Sequence, residues 1–136
     1  MIVVDTNQVA YLLLGGSGVK AARAAFLRDP EWAAPLLWRS EFRSVLTQYV
    51  RRRELSLEDA VTAQKKAEQL LAGREHLVKS EGVLRLAERS RCSAYDCEFV
   101  ALAQQLRVPL VTSDRQILAA FPGVAVAAAA FAAGSV

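Results

Sequence analysis

The sequence holds a single histidine, His76, and only two cysteines, Cys92 and Cys97. A multi-histidine zinc site is thereby excluded, and a Ser-His-Asp triad is left with one possible base. The cysteine spacing matches no common redox or zinc pattern, so the pair reads as two reduced thiols of a reducing compartment. Long apolar runs are missing as well. The longest, Val124 to Ala133, falls far short of the roughly 20 residues of a spanning helix. Met1-Ile2-Val3-Val4-Asp5 has no basic stretch ahead of an apolar one, as a signal peptide would. The expectation is a cytoplasmic protein with no membrane partner, whose catalysis, if any, rests on carboxylates.

What is present is enough for one domain spanning 1–136 with its own core. Hydrophobic residues make up 53% and charged residues 23%, the balance of a folded chain. Seventeen basic residues against fourteen acidic ones give a net charge of +3, which permits a nucleic-acid partner without requiring one. Arg39, Arg43, Arg51, Arg52 and Arg53 cluster in one segment. On charge alone, a solvated helix face and a phosphate-binding surface are equally good readings.

Ile2-Val3-Val4 reads as a short buried strand ending at Asp5, followed by a helix to about Leu14. A Gly15-Gly16-Ser17-Gly18 loop leads to a second helix ending near Arg28. Gly16-Ser17-Gly18-Val19-Lys20-Ala21 formally fits a dinucleotide fingerprint, but no strand runs straight into it, so a turn before a helix is the better reading. Trp32 to Leu37 is interrupted by Pro35 and is expected to be a weak edge element. From Arg39 to Arg53, Phe42, Val45, Leu46, Tyr49 and Val50 mark one buried helical face. Ser56-Leu57-Glu58-Asp59 resembles a capping box for a helix to about Leu71, closed by Gly73. Beyond it the pattern predicts a strand at His76 to Val78 and helices at Gly82 to Arg89 and Tyr95 to Leu106. A strand at Val108 to Thr112, a helix from Asp114 to Ala120 and a last strand at Val124 to Val126 follow. The alanine-rich tail is compatible with helix, strand or disorder.

Short apolar strands alternating with helices predict a parallel sheet covered on both faces, with ligands beyond the carboxyl ends of its strands. Asp5 and Asp114 sit there, each just after a strand. On its own, each is more readily a helix N-cap. Asp96 falls on the apolar side of its helix, beside Val100 and Ala103, where a carboxylate needs compensation. A first-turn acid answering the helix dipole is the alternative. Glu41 borders the apolar stripe of its own helix. Several carboxylates gathered at one sheet edge repel one another, and a divalent cation relieves that repulsion. All-oxygen donors suit magnesium or manganese, which acidify water and neutralise phosphate charge. Phosphodiester hydrolysis is the reaction class these residues point to.

Four segments carry a resemblance to a known family. Val3-Val4-Asp5-Thr6-Asn7, Ser40-Glu41-Phe42-Arg43-Ser44-Val45-Leu46, Ser93-Ala94-Tyr95-Asp96-Cys97-Glu98-Phe99-Val100-Ala101-Leu102-Ala103 and Leu110-Val111-Thr112-Ser113-Asp114-Arg115 resemble, in order and spacing, the acidic motifs of PIN-domain ribonucleases. Among these, the VapC-like toxins of toxin–antitoxin pairs are the nearest in character. The resemblance implies a three-layer α/β/α fold with a central parallel sheet and an acidic pocket at its carboxyl end. It implies Asp5 and Asp96 as principal magnesium ligands (manganese being an alternative ion), completed by Glu41 and Asp114. Asn7, Thr112 and Ser113 would support them by orienting carboxylates or water, although each is equally suited to a turn or cap. Glu98 lies one helical step away and reads more simply as solvated. Gln8 stands where the family more often has an aliphatic residue, a departure expected to leave the chemistry untouched.

The activity so implied is magnesium-dependent endoribonuclease cleavage of RNA, with Arg43 and Arg115 as candidate backbone contacts. A small cognate antitoxin and a second copy of the chain would be its protein partners. A non-catalytic PIN-like RNA-binding or scaffold protein is the competing reading, and a metal phosphatase a third. Aspartate-nucleophile phosphatases would need a second acid where Asn7 stands.

Overall fold

A computed structural model describes residues 1–134, so the last two residues of the expected 1–136 unit lie outside it. Strands β1 (Ile2–Val4), β2 (Trp32–Pro35), β3 (Glu75–His76), β4 (Leu110–Val111) and β5 (Ala125–Val126) form one sheet in the order β3-β2-β1-β4-β5. Every pairing is parallel, from Ile2 opposite Trp32 to Val111 opposite Val126. Helices α1 (Thr6–Leu14), α2 (Val19–Arg28), α3 (Leu37–Arg51), α4 (Leu57–Leu70), α5 (Ser80–Glu88), α6 (Ala94–Leu106), α7 (Arg115–Ala120) and α8 (Ala128–Ala132) connect and cover it.

The chain runs outward through β1, β2 and β3, then returns across to β4. Right-handed crossovers therefore carry helices over one face on the way out and over the other on the return. The packing follows that rule: α1, α3 and α4 lie against one another, while α5 packs on α6 and α6 crosses β1, β2 and β4. Phe99, Val100 and Leu102 of α6 are almost wholly buried there, each contributing about 2 kcal/mol by removal from water. Ser93 caps α6 by accepting the Asp96 N–H at 3.0 Å. Cys92 and Cys97 occupy the positions before that cap and one turn after it, the two places that pack as a hydrophobic staple. Both are buried free thiols, and burial pushes both further from ionising.

Three sequence expectations are corrected. Trp32 to Pro35 is an interior strand, flanked by β1 and β3, with all four residues buried. Its proline is tolerated because Pro35 is the last residue of β2 and lies past Val3–Ala33, the last pairing with β1, so its missing N–H interrupts no pairing within the ladder. The third strand is Glu75–His76, not His76 to Val78. Its partner turns into α3 after Leu36, whose N–H takes the His76 carbonyl, and Leu77 is left 80% exposed. Helix α5 starts at Ser80, ahead of Gly82. The alanine-rich tail, open in sequence terms, forms α8 against α2, with the Arg28 guanidinium stacked over Phe131.

The outer strand β3 is held by a side chain rather than by length. Glu75 accepts from Trp38 Nε1 at 2.7 Å and from Arg39 Nε and Nη2 at 2.6 and 2.7 Å. The Arg39 bonds hold its carboxyl below the usual range. Arg39 is thus paired with Glu75 and, at 3.3 Å, with Glu68. Glu75→Ala should cost about 2 kcal/mol, the worth of a charged hydrogen-bond cluster, in urea unfolding. An unchanged midpoint would show the anchor to be dispensable.

Candidate active site

The order β2-β1-β4 makes the crevice between β1 and β4 a switch point, where successive crossovers leave in opposite directions. Asp5 leaves β1 and Asp114 follows β4 by three residues, so both acids open onto that crevice. Both also act as helix caps. Asp5 Oδ1 accepts the Gln8 N–H at 3.2 Å to start α1, and Asp114 Oδ1 accepts the Ile117 N–H at 2.9 Å to start α7. The simpler reading of each acid, a cap, and the crowded-carboxylate reading therefore hold together.

Glu41 enters from the second turn of α3 and Asp96 from the first turn of α6, on opposite sides of the sheet edge. All four carboxylates line one cavity of about 300 Å³, with Asn7 at its rim and Phe99 and Ile117 among its apolar walls. Asp5 is 8% exposed, and burial pushes its carboxyl up to about 6. Hydrogen bonds from Thr112 and Gln8 oppose that rise, while Asp114 and Glu41 add to it. Burial raises Glu41 too, with Asp96 and Glu98 adding repulsion. Asp96 is raised by burial first and by Asp114 second. The acids thus feel one another.

Thr112, wholly buried, joins two of them. Its Oγ1 donates to Asp5 Oδ2 and accepts the Asp114 N–H at 3.0 Å. Ser113 contacts no carboxylate; its Oγ accepts from Gln8 Nε2 at 2.7 Å. Asn7 is exposed, and among the described residues its side chain forms no hydrogen bond. The sequence reading overlooked Thr6, whose Oγ1 donates to Glu41 Oε1 at 2.6 Å and ties α1 to α3. Its place directly after Asp5 was the available signal. Glu98 is half-buried and raised by burial, but it lines a neighbouring cavity with His76 and Leu77. Arg43 lines an apolar groove between α3 and α4 rather than the acidic cavity, and Arg115 is exposed beside Asp114.

Among the described residues no group of three or more Asp, Glu, His or Cys side chains is placed to hold a metal ion together. Asp5, Glu41 and Asp114 are each engaged by an N–H or O–H donor. The donor set still fits a hard cation that keeps most of its waters and takes one or two carboxylates, which is how magnesium binds. It does not suit zinc.

The PIN domain family model matches residues 2–123. No curated protein sequence matches the chain significantly. Solved structures that share the fold include the following three. PAE2754 from Pyrobaculum aerophilum superposes with a TM-score of 0.76 at 22% identity, covering 97% of this chain and 93% of that one. A toxin-antitoxin complex from Klebsiella pneumoniae gives 0.70 at 20% identity, covering 94% and 98%. FitAcB from Neisseria gonorrhoeae gives 0.72 at 16% identity, again covering 94% and 98%. No helix among the described residues is long and apolar enough to cross a membrane. A family match over so much of the length means that this chain belongs to the PIN domain family.

Proposed function

We propose that the protein is a magnesium-dependent endoribonuclease, the VapC-like toxin of a toxin–antitoxin pair. PIN domains are generally nucleases. The observation that carries the reading is the meeting of Asp5, Glu41, Asp96 and Asp114 in one cavity at the carboxyl edge of the sheet. Asp5 and Asp96 are the residues that would hold the cation, with Glu41 and Asp114 completing the acidic ring. Once bound, a divalent cation supplies positive charge for a phosphodiester and acidifies water. Thr112 orients Asp5, and Thr6 orients Glu41. Phe99, Val45 and Ile117 wall the acids and limit the water around them. Manganese would serve as a substitute ion.

The similarity to a toxin–antitoxin complex supports a small antitoxin protein as partner; a homodimer as the assembly rests on the family resemblance alone. Incubating the protein with RNA and with a generic phosphomonoester, each with magnesium and with chelator, separates the readings. RNA cleavage that needs the ion supports the proposal. Binding of RNA without cleavage would favour a scaffold, and hydrolysis of the monoester alone a phosphatase.

Relief of carboxylate repulsion also predicts a metal-dependent stability. Magnesium at about 100 times its dissociation constant should add about 2.7 kcal/mol to unfolding. The control is a non-coordinating salt at equal ionic strength. An identical unfolding midpoint in the two salts would exclude a preformed ion site.

A further inference from the structure

Gln8 occupies the third helical position of α1, three residues after the cap Asp5. A glutamine there ordinarily turns back to the backbone N–H of the cap residue. In this protein that N–H is taken: Asp5 N donates to Val111 O at 3.3 Å, as part of the β1–β4 ladder. The Gln8 amide crosses instead to the exit of β4, where Nε2 donates to Ser113 Oγ at 2.7 Å. Its own backbone N–H meanwhile donates to Asp5 Oδ1. One residue therefore grips both the Asp5 carboxylate and the turn that carries Asp114.

The side chain is 1% exposed, and its Oε1 is buried with no hydrogen-bond partner among the described residues. An aliphatic residue would fill the same space with no orphaned oxygen. The amide is therefore a cost to stability that the Ser113 contact must justify. Ser113 stands between Thr112, which bridges Asp5 to the Asp114 N–H, and Asp114 itself, which caps α7. Fixing Ser113 fixes the turn from both sides. We infer that Gln8 is a positioning residue that clamps the β4–α7 turn to the start of α1 and so sets the gap between Asp5 and Asp114. Its consequence for metal and RNA rests on the proposed function; the clamp itself does not.

The test compares Gln8→Leu, Ser113→Ala, the double variant and Ser113→Thr, the last retaining the hydroxyl. Ser113 is exposed, so Ser113→Ala probes the contact even if Gln8→Leu fails to fold. Hydrogen exchange without metal should quicken about tenfold at the Asp114 and Ile117 amides in the first three proteins. The Val3 amide should keep its rate, and Ser113→Thr should behave as the parent. Manganese affinity by calorimetry should fall about tenfold, the usual effect of losing a group that orients a ligand. RNA turnover should fall through kcat, with KM held. The double variant should match either single one. Parental exchange at Asp114 and Ile117, additive singles, or faster exchange with unchanged manganese affinity would each overturn the inference. A parent that neither binds manganese nor cleaves RNA, yet shows the exchange pattern, would remove the functional proposal and leave the clamp standing.

Discussion

Asp96→Asn should lose RNA cleavage by at least about 100-fold while the protein stays folded, a loss no smaller than that of a group that merely orients a ligand. The substitution keeps size and shape and removes only the charge that would hold a cation. Its effect on stability follows from opposing contributions. Asp96 sits in the first turn of α6, where the helix dipole favours a negative charge by up to about 1 kcal/mol. Burial and the neighbouring Asp114 nonetheless leave its carboxyl raised, so in the folded protein its charge is on balance unwelcome. Stability above neutral pH should therefore hold or rise. Were Asp96 only a dipole partner, the reverse pattern would appear, a loss of stability with activity intact. Cleavage and unfolding free energy measured on one preparation separate the two, and full cleavage by folded Asp96→Asn protein would refute the mechanism.

Asp5 gives the second large effect, in pH. Its carboxyl moves from an ordinary 3.8 to about 6 on folding. The folded state therefore binds this proton more tightly than the unfolded one. The associated stability is fully present below pH 3.8 and is lost as pH rises through 6. The loss is about 3 kcal/mol. Asp5→Asn should flatten this dependence. Its carbonyl still accepts the Gln8 N–H, but its amide nitrogen meets a Thr112 hydroxyl that had been donating. That mismatch offsets about 1 kcal/mol of the gain, leaving the variant more stable than the parent at pH 8 without metal. With saturating magnesium the order should reverse, because only the parent gains the ion. Unfolding curves at several pH values from 4 to 8 check both signs. A parent with flat stability across that window would contradict the burial assigned to Asp5.

Much of the scaffold was legible because it is local. Phe42 and Leu46 repeat at helical spacing and are buried in α3, while Ile2-Val3-Val4 is a continuous apolar run and forms the central strand. The strand around Pro35 was misjudged because proline disfavours ladder interiors in general. Its fitness depends on where the neighbouring strand ends, and that is a matter of register. Helix α8 was undecided because a run of alanines has no polar face to betray a period, and its partner is α2, about a hundred residues earlier.

The same division runs through the site. By itself the sequence determined which acids follow strands and which lie on helix faces, because strand ends and helical periods are properties of short segments. It also set their order along the chain, on which the family resemblance rests. Only the tertiary structure decided that Asp5, Glu41, Asp96 and Asp114 share one cavity, since that depends on the β2-β1-β4 order and on α3 and α6 reaching the same sheet edge. It likewise decided that Thr6 engages Glu41, that Thr112 joins Asp5 to the Asp114 turn and that Gln8 reaches Ser113. Those hydrogen bonds close only when segments 35 to 107 residues apart are brought together, and no local pattern encodes a contact between groups so far apart in the chain.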